Sequence, residues 1–148
     1  MNSLHIETPL IESIPMAKKV NGKVWLKLEA LQPSGSFKLR GVGNACQTYI
    51  RMGAKKFVSS SGGNAGIAVA YSGRKLGLPV TVVVPKSTTE SAIEAIKKEQ
   101  AEVIVKGITW KESHEYSLKL MDTECVHIHP FEDPLLWKGY ATILNEVK

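Results

Sequence analysis

Lys38 stands in the run Pro33-Ser34-Gly35-Ser36-Phe37-Lys38-Leu39-Arg40-Gly41, where a loop of small residues delivers it into the first turn of a helix. A cation is favoured at the other end of a helix, where the macrodipole is negative. At an N-terminus, with Phe37 and Leu39 on either side, the ammonium is disfavoured by the dipole and by desolvation, so its pKa is expected to fall. The neutral amine that results is a nucleophile suited to Schiff-base chemistry with a carbonyl cofactor. The plainer alternative is a solvated lysine that starts a helix.

A second segment, Ser59-Ser60-Ser61-Gly62-Gly63-Asn64-Ala65-Gly66, runs from a β-branched stretch straight into a helical one. A hydroxyl- and glycine-rich turn at the carboxyl end of a parallel strand presents free backbone N–H groups at a helix N-terminus, a cradle for phosphate or carboxylate. The alternative is a tight βα turn in which Gly62 and Gly63 supply unusual dihedrals and Asn64 caps the helix.

Other chemistries fit less well. The glycines at 62, 63 and 66 do not space as a dinucleotide fingerprint, and the next strand ends in Pro85-Lys86 where an acidic residue would hold a ribose. No triphosphate-binding loop motif occurs. Cys125, His127 and His129 alternate along one strand and would share a face, but a flat strand needs a further ligand from elsewhere, so no metal is expected. His5 and His114 have no evident constellation, and Cys46 and Cys125 form neither a redox motif nor a disulfide framework.

The elements that must position these residues follow from periodicity. Four β-branched runs, 57–60, 80–84, 103–106 and 125–129, recur about every 23 residues with room for a helix between, the spacing of stacked βα units. The expected fold is α/β: a parallel sheet with helices on both faces. Gly53, Gly77 and Pro79 read as stops, while Ser87-Thr88-Thr89-Glu90 and Thr109-Trp110-Lys111-Glu112 read as capping boxes. Ala92, Ile93 and Ile96 fall on one helix face, and the apolar run 80–84 is expected to be buried on both sides. The first forty residues differ, with an alternating strand over 24–29 after an Asn21-Gly22 turn. A last helix over 135–148 still carries an apolar stripe where the sequence stops, as if mid-architecture.

Composition adds bounds. With 148 residues, 43% hydrophobic and 22% charged, the chain has the profile of one globular domain, or one plus part of another. Its net charge of +5 is scattered, which suits an anionic small molecule better than nucleic acid. The most apolar stretch, 78–85, is far too short to cross a bilayer, and no secretory leader is evident, so no membrane partner and a cytoplasmic location are expected.

The run at 33–41 followed by Ser60-Ser61-Gly62-Gly63-Asn64-Ala65-Gly66 resembles the serine/threonine dehydratase branch of the fold type II pyridoxal-phosphate enzymes, in particular the serine dehydratases and their serine dehydratase-like relatives. The likeness extends from Leu4-His5-Ile6-Glu7-Thr8-Pro9-Leu10 to His129-Pro130-Phe131-Glu132-Asp133-Pro134-Leu135-Leu136-Trp137-Lys138-Gly139. The resemblance implies pyridoxal 5'-phosphate as cofactor, with Lys38 forming the Schiff base and Phe37 packed against the pyridine ring. Asn64 would hydrogen-bond the cofactor's 3′ oxygen. Ser61 and the backbone N–H groups of Gly62, Gly63, Asn64 and Ala65 would hold the carboxylate of an amino-acid substrate. The implied reaction is β-elimination, giving pyruvate from L-serine or 2-oxobutanoate from L-threonine, plus ammonia. Gly62 stands where many members carry a small non-glycine residue.

In family terms residues 41–134 form the small domain, and 1–40 with 135–148 are parts of the large one. Members continue into a glycine-rich phosphate loop, a residue that meets the pyridine nitrogen and a cation site, none of which is in this sequence. The apolar faces left over imply a homodimer or a missing C-terminal half. Two alternatives remain at this stage: a β-replacement enzyme or racemase of the same fold, and a catalytically silent binding module.

Overall fold

The computed structural model describes residues 2–148. In chain order it begins with β1 (Leu10–Glu12), α1 (Ile14–Val20) and β2 (Trp25–Lys27), then a 3-10 turn at Glu29–Leu31 and α2 (Lys38–Arg51). The repeat follows as β3 (Lys56–Ser59), α3 (Asn64–Leu76), β4 (Val80–Val84), α4 (Glu90–Lys98), β5 (Glu102–Val105), α5 (Trp110–Leu118) and β6 (Cys125–His127). It closes with α6 (Pro134–Tyr140) and α7 (Thr142–Glu146).

β3 to β6 form one parallel sheet in the order β5-β4-β3-β6, flanked by helices as the spacing predicts. The chain steps one way across the sheet through α3 and α4, then back through α5. Right-handed crossovers therefore put α3 and α4 on one face and α5 on the other. All five residues of β4 are buried, and Val80, Val82 and Val84 share one continuous core with Phe57, Val69, Ile96, Ile128 and Leu136. Gly77 ends α3 in the left-handed region (φ 73°), where a side chain would be strained. None of the described helices is long and apolar enough to cross a membrane.

Several boundaries depart from the sequence reading. β3 and β5 each begin and end one residue earlier, and β6 stops at His127. Thr89, not Ser87, caps α4, accepting from Ala92 N at 3.3 Å. Thr109 caps α5 as expected, but Glu112 reaches Ile108 N (2.8 Å) instead of the cap residue's own N–H. Asn21 sits at φ 49° as the end of α1, so Asn21-Gly22 terminates a helix and does not turn a hairpin. β2 is shorter than the alternation suggests and pairs antiparallel with β1 across the intervening helix, Ile11 opposite Leu26.

The helix expected over 135–148 is two helices that break at Ala141. The break has a tertiary cause. Thr142 Oγ1 donates to Gly139 O at 2.7 Å and accepts from Arg40 at 3.1 Å. α7 then turns so that Glu146 meets the same guanidinium at 2.6 and 2.7 Å. Glu29 takes the other side of Arg40 at 2.7 and 2.8 Å, and Thr8 donates to Glu29. Arg40 is fully buried, so this cluster welds the N-terminal segment and the last helix onto α2. α2 and α6 can approach closely because Gly41 and Gly139 face each other: a Cβ on Gly139 would overlap Arg40 O and Gly41 Cα.

Hydrogen bonds from Arg40 hold the Glu146 carboxyl at about 2, below its ordinary 4.5. A carboxylate depressed in the folded state stabilises the fold above its unfolded pKa, and that contribution, about 3 kcal/mol, is lost as pH falls from 4.5 toward 2. Glu146→Ala is therefore expected to destabilise the protein by about 3–5 kcal/mol at pH 7 and to flatten the acid limb of stability, as read by urea unfolding at several pH values. An unchanged acid limb would contradict this role.

Candidate functional site

Lys38 is the first residue of α2. The loop before it turns at Gly35 (φ 79°), whose N–H bonds Gln32 O at 2.7 Å, and this geometry buries Ser34 and Ser36. The Lys38 ammonium donates to Pro130 O at 2.9 Å, from the loop after β6. Three rings surround it: Phe131 at 4.9 Å, Phe37 at 5.4 Å and Tyr140 at 5.5 Å from Nζ to centroid. Burial lowers its pKa, the direction the sequence predicts, and no carboxylate pairs with it among the described residues. The amine is therefore partly withdrawn from water and is not a solvated lysine in isolation.

The serine-rich bend leaves the carboxyl end of β3 and enters α3. Gly63 is the cap of this helix and Asn64 its first residue, so the alternative in which Asn64 caps the helix does not hold. The Asn64 side chain is exposed and has no hydrogen-bond partner among the described residues. The first N–H groups of α3 have no acceptor within their own helix. Ser61 Oγ accepts from Gly63 N at 3.3 Å, and Ser60 is buried with its Oγ 3.0 Å from His114 Nδ1. The bend folds back so tightly that a Cβ on Gly66 would overlap the Ser61 carbonyl oxygen. At Gly62 a Cβ would come within 2.8 Å of the Thr88 methyl.

A cavity of about 500 Å³ opens at the carboxyl edge of the sheet, bounded by Ser61, Gly62, Thr88, Trp110, Pro130 and Phe131. Sheet order reverses between β3 and β6, and ligands of open α/β sheets bind at such a switch point. The Pro130-Phe131 turn faces the cavity on one side and Lys38 on the other. Of the expected site residues Ser61 and Gly62 line this cavity, while Lys38, Phe37 and Asn64 do not; Lys38 is linked to it through Pro130 and Phe131.

The sequence reading assigned Pro130 and Phe131 no site role, weighed His127 and His129 only as metal ligands and left His114 without a constellation. His114 is not isolated: its ring contacts His127 (5.0 Å) and His129 (5.4 Å) and stacks on Trp110 (5.0 Å, 15°). Trp110 and His114 lie four apart on one helix face, a signal that was available. Burial foremost, then His114 and His129, push the His127 pKa to about 4. The imidazole nitrogens are engaged separately, His127 Nε2 with Ser117 Oγ at 3.0 Å and His129 Nδ1 with backbone N–H groups. Among the described residues no group of His, Cys, Asp and Glu is arranged to hold a metal ion. His5 lies near Arg40, Glu146 and Glu29, and burial is the leading cause of its lowered pKa.

Comparison with known proteins places this geometry. A family model described as pyridoxal-phosphate dependent enzyme matches residues 2–148. The chain is 47% identical to an L-serine dehydratase of Dictyostelium discoideum, over 97% of this chain and 44% of that protein. The fungal L-serine ammonia-lyase of Rhizomucor miehei superposes with a TM-score of 0.94 at 34% identity, over 99% of this chain and 47% of the other. Maize serine racemase superposes at 0.90 with 26% identity, over 97% and 44%. The chain spans less than half the length of each of these proteins.

The bend supplies a paired test. Gly66→Ala must displace the Ser61 carbonyl and is expected to cost about 1–3 kcal/mol or more. Gly63→Ala, whose Cβ meets nothing within 4 Å, is expected to stay within about 1 kcal/mol of the parent in thermal unfolding. Equal losses in the two variants would refute the close approach.

Proposed function

Since the chain belongs to the pyridoxal-phosphate-dependent enzymes, we propose that the protein is an L-serine/L-threonine ammonia-lyase, releasing ammonia and pyruvate or 2-oxobutanoate. The observation that carries this reading is the Lys38 amine, partly desolvated among three rings and held by the Pro130 carbonyl, whose own turn borders the cavity that Ser61 and Gly62 line. The residues present fit the cofactor at its aldehyde, ring face and 3′ oxygen. Lys38 offers an amine of lowered pKa, Phe37 is 44% exposed and offers a ring face, and Asn64 offers a free amide.

Pyridoxal phosphate, when bound, supplies an electron sink for negative charge at the substrate Cα. Lys38 would bind its aldehyde and, once displaced by the substrate amine, accept the Cα proton at Nζ. Phe37 would pack against the ring, and Asn64 would orient it through the 3′ oxygen. Ser61 and the N–H groups of Gly62, Gly63, Asn64 and Ala65 would hold the carboxylate, where the positive end of α3 favours an anion. Trp110 and Phe131 would wall the substrate from water. Residues 41–134 would form the small domain and 1–40 with 135–148 parts of the large one. The separate β1-β2 sheet and its attachment through Arg40 support that division. A cytoplasmic location accords with the free thiols of Cys46 and Cys125.

Mixing the purified protein with pyridoxal phosphate is expected to give a visible absorption band, fixed at Lys38 by borohydride and located by peptide mass spectrometry. L-serine is then expected to yield 2-oxo acid, and Lys38→Ala to lower that rate by about 10²–10⁴-fold or more. Formation of D-serine without 2-oxo acid would assign a racemase, for which the likeness to maize serine racemase gives a specific ground. Absence of any Lys38 adduct would leave a binding module.

A further inference from the structure

We propose that His129 is a positioning residue: its Nδ1 folds residues 129–132 into the turn that holds the Pro130 carbonyl and the Phe131 ring against Lys38. The inference rests on the Lys38 chemistry proposed above. His129 Nδ1 accepts Phe131 N–H at 3.1 Å and Glu132 N–H at 2.8 Å. A side-chain acceptor at one residue bonding the N–H groups two and three residues on is the device by which Asn and Asp fix turns. Pro130 has no N–H to contribute, so the turn's local closure falls to that one nitrogen.

Both flanks are anchored independently. Ile128 N bonds Val58 O at 2.8 Å, and Asp133 is held by Leu135 N and the Tyr49 hydroxyl, both at 2.7 Å. Trp137 Nε1 donates to Phe131 O at 3.0 Å. What His129 adds is the aim of the middle: the Pro130 carbonyl 2.9 Å from Lys38 Nζ, and the Phe131 ring 4.9 Å away. That ring shields the amine from water, and burial is what lowers the Lys38 pKa. Releasing the turn therefore returns Lys38 toward ordinary lysine behaviour.

An imidazole can accept at Nδ1 only while that nitrogen is unprotonated. The groups facing His129 are His114 from α5, His127 from β6, Glu132 and Asp133 from its own loop, and Lys38 from α2 across the turn; the Trp110 and Phe131 rings are uncharged. Burial and His114 disfavour the cation, while Glu132 and Asp133 favour it, and the balance lowers the pKa. The turn is thus closed at neutral pH and opens when acid turns the acceptor into a donor facing two N–H groups. Asn at this position retains an acceptor oxygen without a titration.

The test reads the amine without cofactor. Lys38 acylation is followed against pH by peptide mass spectrometry in the parent protein, His129→Ala and His129→Asn. His129→Ala is expected to move the Lys38 half-point up by roughly half a unit or more, and His129→Asn to restore it. On acidification below the ordinary histidine value of 6.5 the parent's Lys38 environment, followed by side-chain NMR, is expected to change while that of His129→Asn does not. Coincident half-points in all three proteins overturn the inference. The ¹⁵N shift of His129 Nδ1 in the parent gives a check that needs no variant: an unprotonated acceptor at pH 7.5 supports the assignment and a protonated one overturns it. Failure of Lys38 to take up pyridoxal phosphate would defeat the proposed function alone, because the half-points are measured in its absence.

Discussion

A buried guanidinium is tolerable only when its donors are met by opposite charge, and Arg40 meets this condition with carboxylates drawn from two distant parts of the chain. Its side chain is 1% exposed, while Glu29 precedes α2 by a loop and Glu146 lies near the last described residue. Arg40 sits two residues beyond Lys38 on the same helix, so whatever fixes one fixes the origin of the other. The glycine contact between α2 and α6 acts at the next position, and Tyr140 from α6 supplies one of the three rings around the amine. Lys38 thus stands at the end of a helix clamped by charge and by close backbone packing.

The serine-rich bend depends on a different constraint. The bend after β3 is short because Gly66 lets the Ser61 carbonyl lie against the first turn of α3. This closeness brings Ser61 and Gly62 to the cavity wall. Ser60, buried beneath, ties the bend to α5 through His114, and Trp110 on the same helix reaches the cavity wall. Sheet, bend and helix are thus tied together around the pocket.

What the sequence disclosed was what local chemistry decides. The unbroken apolar run of β4, the left-handed stop at Gly77 and the Thr109 cap are short-range signals, and each appears in place. The lysine motif and the serine-rich bend were legible for the same reason. The break at Ala141 was not, because alanine carries no stop signal and the cause is Arg40, a hundred positions away in the chain. Asn21-Gly22 misled because the same left-handed geometry ends helices as readily as it turns hairpins. The histidine cluster was hidden because its members approach only after α5 has crossed behind the sheet.

The pairing of β6 with β3 bears on how the molecule assembles in time. These strands are adjacent in space but lie at opposite ends of the repeat, with three helices and two strands between them. Closing so long a span costs chain entropy that is recovered only when the intervening units are already in place. The loop that follows β6 carries the carbonyl to which Lys38 is bound, so the setting of Lys38 depends on a contact made across the whole repeat, and a chain whose β6 is undocked lacks it.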